Sequence, residues 1–199
     1  MKVIVLGSGK IGSIMARDFS ESNPGSEVTL GDISEERAKE AASRIKGANG
    51  ITIATSDHGA LTEQLSGYDL ILGALPGDYG YRALEAAIEA KVDTVDVSFT
   101  PENPTQLDGD ATSAGVTVIP DCGVAPGLSN ILTGYSVSCL DSVREAHIMV
   151  GGIPETPVPP WIYHHVVRGR PHRRVRTGGH HHRERRKRPG PRSERTRGD

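Results

Sequence analysis

Four residues are spaced to hold a ligand that carries both phosphate and sugar. Gly7, Gly9 and Gly12 form Gly-x-Gly-x-x-Gly, and Asp32 follows Gly12 by twenty positions. Each type has a physical reason in that pattern. Gly7 lets the chain turn sharply. Gly9 lets main-chain N–H groups approach a diphosphate, where a Cβ would stand in the way. Gly12 lets the next helix pack closely. The free N–H groups and the dipole at the start of that helix favour negative charge. Lys10 and Ile11, between the glycines, are counted with them as ligand-contacting positions. A carboxylate at 32 accepts hydrogen bonds from a ribose 2′-OH and repels a 2′-phosphate. That chemistry favours NAD, with NADP as the second choice. The alternative for the same residues is a tight strand–helix turn followed by a solvated aspartate.

The elements around these residues favour the ligand-binding reading. Val3-Ile4-Val5-Leu6 is an apolar run that reads as a buried strand. After the glycines comes a helical pattern with Ile11, Ile14, Met15 and Phe19 on one face. Val28–Gly31 reads as a second strand ending at Asp32. A strand, a glycine loop, a helix, a strand and an acid together make a far more specific signal than the glycines alone.

The alternation continues. Ser34 is placed to cap a helix with Ala38, Ala41, Ala42 and Ile45 on its inner face, ended by Gly47 and Gly50. Residues 51–54 read as the third strand, followed by Asp57, a further cofactor-contacting position. Leu61 and Leu65 suggest a short helix. Residues 69–74 read as the fourth strand, ending in Leu75-Pro76-Gly77. A helix follows with Tyr81, Leu84, Ala87 and Ile88 aligned. Residues 94–97 are the fifth strand, a helix is expected around 105–114, and residues 116–119 are the sixth strand. This order predicts an α/β doubly wound parallel sheet of the Rossmann class, covered on both faces. Ligands in that class sit outside the carboxyl ends of the strands. The loops 7–12, 75–77, 96–100 and 121–127 are therefore the ones that matter, and Leu75 and Pro76 join the cofactor-contacting set. Pro126 suits the first turn of a helix carrying Leu128, Ile131, Leu132 and Tyr135.

Composition sets the class. The 199 residues suit one domain, or one and a fraction. The amino-terminal residues enter a strand directly, so no signal peptide is expected, and no apolar run is long enough to span a membrane. Two cysteines, Cys122 and Cys139, make neither a disulfide framework nor a metal spacing, which suits a reducing cytoplasm. No metal site is expected in the body of the chain. The formal net charge of −2 hides two unlike segments: residues 1–163 hold 10 Lys+Arg and 22 Asp+Glu, and residues 164–199 hold 13 and 3. A body this acidic suits a halophile, in which salt screens self-repulsion. Its melting temperature is then expected to rise in molar KCl.

Two motifs carry a family resemblance. Asp-Cys-Gly-Val-Ala-Pro-Gly-Leu-Ser-Asn-Ile-Leu at 121–132 and Val-Gly-Gly-Ile-Pro-Glu at 150–155 resemble the saccharopine dehydrogenase family, in particular its lysine 6-dehydrogenase-like subgroup. The resemblance covers about residues 1–165. It implies an oxidoreductase that uses NAD(P) on the C–N bond of a lysine-derived amino acid, often as a homodimer, with a substrate domain inserted after the dinucleotide domain. On that reading residues 1–138 are the dinucleotide domain and 139–167 begin the substrate domain, with a small amino acid as the partner. Asp121, on the loop that would meet the nicotinamide, is a catalytic candidate for orienting a substrate ammonium or moving its proton. Asp96, at the neighbouring strand end, is the second. The alternative for each is a strand-terminal aspartate that caps the next turn. Cys122 has no base or cation beside it in the sequence and reads as packing.

From Arg168 the composition changes. Residues 168–199 are basic, almost without apolar residues, and are expected to be disordered. Three readings compete: a tail that binds nucleic acid non-specifically, a metal-binding cluster of His172 and His180–His182, and an out-of-frame translation. The third explains most detail. One codon choice for residues 172–191, read one base later, gives IDEYVRAATIIENGENVPV, acidic and apolar like the body. The chain is then a truncated oxidoreductase of weak or no activity. The competing class is a non-catalytic dinucleotide-binding protein with a basic tail that binds nucleic acid.

Overall fold

The four residues Val3, Ile4, Val5 and Leu6 are completely buried, and they explain the architecture. Side chains alternate across a strand. Val3 and Val5 pack into one apolar cluster with Val28, Leu30, Ala41 and Ile45. Ile4 and Leu6 pack into another with Leu61, Leu65, Ile71 and Ala87. A strand buried on both faces belongs in the middle of a parallel sheet with helices above and below. Each such side chain contributes roughly 1.5–3 kcal/mol by leaving water.

The computed structural model describes residues 1–150, which form one compact unit. Its elements are β1 (Lys2–Leu6), α1 (Lys10–Ser22), β2 (Glu27–Asp32), α2 (Glu35–Ser43), β3 (Asn49–Thr52), α3 (His58–Leu65), β4 (Leu70–Gly73), α4 (Gly77–Glu89), β5 (Asp93–Asp96), a 3-10 turn (Pro104–Leu107), α5 (Asp108–Ala114), β6 (Val118–Ile119) and α6 (Leu128–Ser138). The six strands are all parallel, in the order β3-β2-β1-β4-β5-β6. The chain runs outward from β1 through β2 to β3, then crosses back to β4. The order therefore reverses between β1 and β4, and the loops after those two strands flank the reversal. The doubly wound parallel sheet expected from the sequence is the fold observed.

Several local expectations are corrected. Ile11 and Ile14 are 56% and 63% exposed; α1 instead meets the sheet through Gly12 and Ala16, with Met15 and Phe19 half-buried. Small residues four apart let the helix lie closer than isoleucines would. Helix α2 stops at Ser43, and Gly50 lies inside β3, where a Cβ would come 2.5 Å from the Ala38 carbonyl carbon. Pro126 precedes α6 by two residues rather than sitting in its first turn. In α6, Leu128, Ile131, Leu132 and Tyr135 are exposed rather than packed. The basic segment 168–199, the histidine run within it and the motif after Val150 lie outside the described residues. Among the described residues no helix is long and apolar enough to cross a membrane.

Candidate functional site

The glycine loop is held by the neighbouring strand ends. Gly7 has φ +99°, a conformation that favours glycine, and a Cβ there would lie 2.6 Å from the Ala74 carbonyl oxygen. Its N–H donates to the Gly31 carbonyl at 2.7 Å. A Cβ on Gly12 would lie 1.8 Å from the Gly7 carbonyl oxygen, so α1 starts flush against the turn. Gly9 differs from both. Its φ is −69°, open to any residue, and a Cβ there would meet no protein atom within 4 Å. Nothing among the described residues requires glycine at position 9. Lys10 and Ile11 open α1 beside it, both exposed.

Asp32 ends β2 and closes over this loop. One carboxylate oxygen accepts from the Ser8 N–H at 3.1 Å and the Ser8 hydroxyl at 2.8 Å. The other accepts from the Ser34 N–H at 3.0 Å and from the Arg37 guanidinium at 2.7 Å. Burial pushes its carboxyl up, but the Ser34 and Ser8 hydrogen bonds and the Arg37 charge outweigh it and hold the pKa below the usual aspartate value. Asp32 is thus a fixed, ionised acceptor at the rim of the loop. Ser8, Arg37 and Ser13, whose hydroxyl donates to the Ser8 carbonyl at 3.0 Å, were not singled out from the sequence. Ser8 and Arg37 occupy unspecified positions of the motif and of the helix after Asp32.

The other expected residues divide. Leu75 lies against the glycine loop, where a Cβ on Gly7 would be 3.5 Å from Leu75 Cδ2, and Pro76 follows it at the start of α4. The Asp57 carboxylate caps α3, accepting from the Ala60 N–H at 3.0 Å. Asp96 ends β5 in register with Gly73 and is only 2% exposed. It accepts from the Ser98 N–H at 3.0 Å. Burial pushes its carboxyl up to about 6 against the pull of the Ser98 hydrogen bonds, and the Asp121 charge adds to the rise. Asp121 is half-buried, with a carboxyl raised by burial and a left-handed φ of +58°. A non-glycine residue in that region is uncommon and is found where surrounding structure enforces it. The Cys122 thiol is pushed up by burial and by Asp96 and Asp121, which leaves it a poor nucleophile.

The arrangement places a glycine turn at a helix start, an ionised acceptor and two carboxyls of raised pKa along the carboxyl end of one sheet. No group of three metal-ligating side chains occurs among the described residues. A groove of about 760 Å3 lies elsewhere, between α3, α4 and α5, and includes the His58–Glu89 pair at 2.9 Å; none of the site loops lines it.

The comparisons agree with this geometry. The model of the saccharopine dehydrogenase NADP binding domain matches residues 3–119. The chain is 26% identical over 144 residues to saccharopine dehydrogenase [NADP(+), L-glutamate-forming] of Pyricularia oryzae, covering 72% of this chain and 31% of that protein. It is 27% identical over 161 residues to the mitochondrial alpha-aminoadipic semialdehyde synthase of Mus musculus, covering 77% and 17%. Apo saccharopine dehydrogenase (L-Glu forming) from Saccharomyces cerevisiae superposes with a TM-score of 0.62 over 69% of this chain and 30% of that one; at 24% identity it shows the fold. The chain therefore spans about a third or less of these relatives. With its parallel sheet, its glycine loop and a family match across six strands, the chain belongs to the saccharopine dehydrogenase NADP binding domain family.

Proposed function

We propose that this chain binds a nicotinamide adenine dinucleotide for an oxidoreductase that acts on the C–N bond of a lysine-derived amino acid. The observation that carries the reading is Gly9: it is a glycine with no steric need for one, facing open space at a helix N-terminus. The diphosphate would rest on the Gly7–Gly12 main chain, with Lys10 and Ile11 beside it. Leu75 and Pro76 would flank the cofactor. When bound, the dinucleotide supplies a hydride acceptor or donor. The protein's share is to fix the amine, exclude water and manage one proton. Asp121 is the residue for that proton, being half-buried and raised; Asp96 is too buried to touch a substrate and acts behind it.

The family model and the Pyricularia oryzae relative are named for NADP, whereas Asp32 favours NAD. A 2′-phosphate beside an ionised, fully hydrogen-bonded carboxylate meets a like charge, which is costly. NADH is expected to bind at least about tenfold more tightly than NADPH, a difference of about 1.4 kcal/mol. Asp32→Ala should erase most of that preference, with Arg37 freed to face the phosphate. Fluorescence titration of both cofactors checks this, and equal affinities in the unaltered protein would contradict it.

The lysine 6-dehydrogenase-like substrate class, the homodimer and the substrate domain beginning at 139 belong to the same proposal. So does the reading of residues 168–199 as out of frame, with little turnover by this chain. The coding DNA read one base later around codon 167 should continue acidic and apolar; stop codons there would sink it. Salt-sensitive DNA binding that vanishes on deleting 168–199 would favour the basic-tail alternative.

A further inference from the structure

One hydroxyl in the site has more acceptors than protons. Ser98, 5% exposed, places its Oγ 2.9 Å from Asp96 Oδ1 and 2.9 Å from the Leu75 carbonyl oxygen. A serine hydroxyl has one proton to donate, and a carbonyl can only accept. With Asp96 ionised, the buried carboxylate and the part-buried Leu75 carbonyl compete for the same proton, and one of them loses its donor. With a proton on Asp96 Oδ1 every group is matched. Asp96 donates to Ser98 Oγ, Ser98 donates to Leu75, and the Ser98 N–H donates to Asp96 Oδ2 at 3.0 Å.

The surroundings fit this assignment. The charged group that acts on Asp96 is Asp121, from the loop after β6, and Asp96 in turn raises the Cys122 thiol on that loop. The Cys122 N–H reaches only the Asp96 main-chain carbonyl, at 2.8 Å. From β4 and α4 the closest approaches are made at glycines, with Asp78 the acidic residue in the first turn of α4. A Cβ on Gly73 would lie 1.9 Å from Asp96 Oδ1, and one on Gly80 would lie 2.6 Å from Ser98 Cβ. On Gly77 it would lie 2.0 Å from the Phe99 carbonyl oxygen. The loop 96–100 is therefore seated too tightly for the Asp96 side chain to swing away. A change in its protonation must be answered by the Ser98 hydroxyl and by the chain it holds.

We infer that Ser98 is a positioning residue. Protonated Asp96 turns the Ser98 hydroxyl onto the Leu75 carbonyl and fixes the Leu75–Gly77 loop, whereas ionised Asp96 draws that hydroxyl back and loosens the loop. The balance is one proton taken up from solvent and one hydrogen bond handed from carboxylate to carbonyl. The consequence for ligand, which rests on the dinucleotide reading above, is that affinity follows the Asp96 proton.

Carbon-13 carbonyl NMR of the whole chain tests the switch directly. The Asp96 side-chain carboxyl and the Leu75 main-chain carbonyl should titrate with one shared midpoint, near 6. Asp96→Asn supplies a permanent N–H donor to Ser98 and should leave Leu75 flat in its held position. Ser98→Ala should leave it flat in the released one. In parallel, NADH affinity of the unaltered chain should fall about fivefold from mildly acid to mildly alkaline pH, the scale of one net hydrogen bond. Asp96→Asn should keep the tighter value throughout and Ser98→Ala the weaker one. A Leu75 carbonyl indifferent to the Asp96 titration overturns the inference, as does a pH profile unchanged in Asp96→Asn. If none of the three proteins binds NADH at any pH, the dinucleotide reading fails, and the Leu75 titration alone decides the switch.

Discussion

Asp32 and Asp96 sit at the carboxyl ends of two strands of the same sheet, both buried, and are held in opposite states. Asp32 gathers two main-chain N–H groups, a hydroxyl and a guanidinium, so its charge is stabilised although water is excluded. Asp96 has one N–H and a hydroxyl that is shared, with another carboxylate nearby, so burial wins and its proton is retained toward neutral pH. Burial alone does not decide the charge of a carboxyl; the count of committed donors does. One end of the site is a permanent anion suited to recognition. The other is a proton store suited to chemistry.

The largest blow to this contrast should come from filling the space beside Asp96. Gly73→Val would drive a side chain into the Asp96 carboxylate, and overpacking of this kind costs about 3 kcal/mol or more. Chemical denaturation should show a large fall in midpoint, and an unchanged midpoint would mean that the loop is not seated tightly.

Next in size is the pH dependence of stability. Asp96 holds its proton more tightly folded, at about 6, than when exposed, at 3.8. The folded chain therefore carries more bound protons between those values, and stability falls as pH rises through that window. The full contribution is present below about pH 4 and lost above about pH 6, on the order of 3 kcal/mol in all. Asp32 works the other way: its lowered carboxyl adds stability above the ordinary aspartate value, and that is lost as acid protonates it. Asp96→Asn should be more stable than the unaltered chain at neutral pH and should flatten the window. Urea melts at a series of pH values check the sign.

The smallest effect belongs to Arg37, which is 60% exposed. Arg37→Ala should cost less than about 1 kcal/mol of stability, because exposed ion pairs are weakly stabilising. It should still raise the Asp32 carboxyl, measurable by the same carbonyl titration.

The two aspartates were not equally legible in the sequence. Asp32 could be placed because its partners are local: a glycine turn and a helix start at fixed spacing, repeated wherever that chemistry recurs. The parallel sheet was legible for a similar reason, since Val3–Leu6 and Leu70–Gly73 are apolar on both faces. Asp96 could be placed at a strand end, but its state could not be read. That state depends on Ser98, Leu75 and Asp121, which come from three loops, and on glycines that only matter once β4 and β5 are in register. The inner face of α1 was misjudged because periodicity weighs Ile11 and Ile14 above Gly12 and Ala16, although close packing favours the small pair. Helix α6 shows another limit: Leu128, Ile131, Leu132 and Tyr135 share helical spacing, and the described residues leave all four exposed. Asp57 follows β3 as expected, and its carboxylate also caps α3, which the sequence did not indicate.

The account turns on Gly9, whose missing Cβ leaves space that no atom of the described residues within 4 Å claims. The direct measurement is an NADH titration of the unaltered chain and of Gly9→Val, each with its thermal melt. The unaltered chain should bind saturably, and Gly9→Val should melt within a few degrees of it yet lose binding by about tenfold or more. Saturable binding that survives Gly9→Val, or folded unaltered chain that does not bind at all, would contradict the assignment of this loop as a diphosphate cradle.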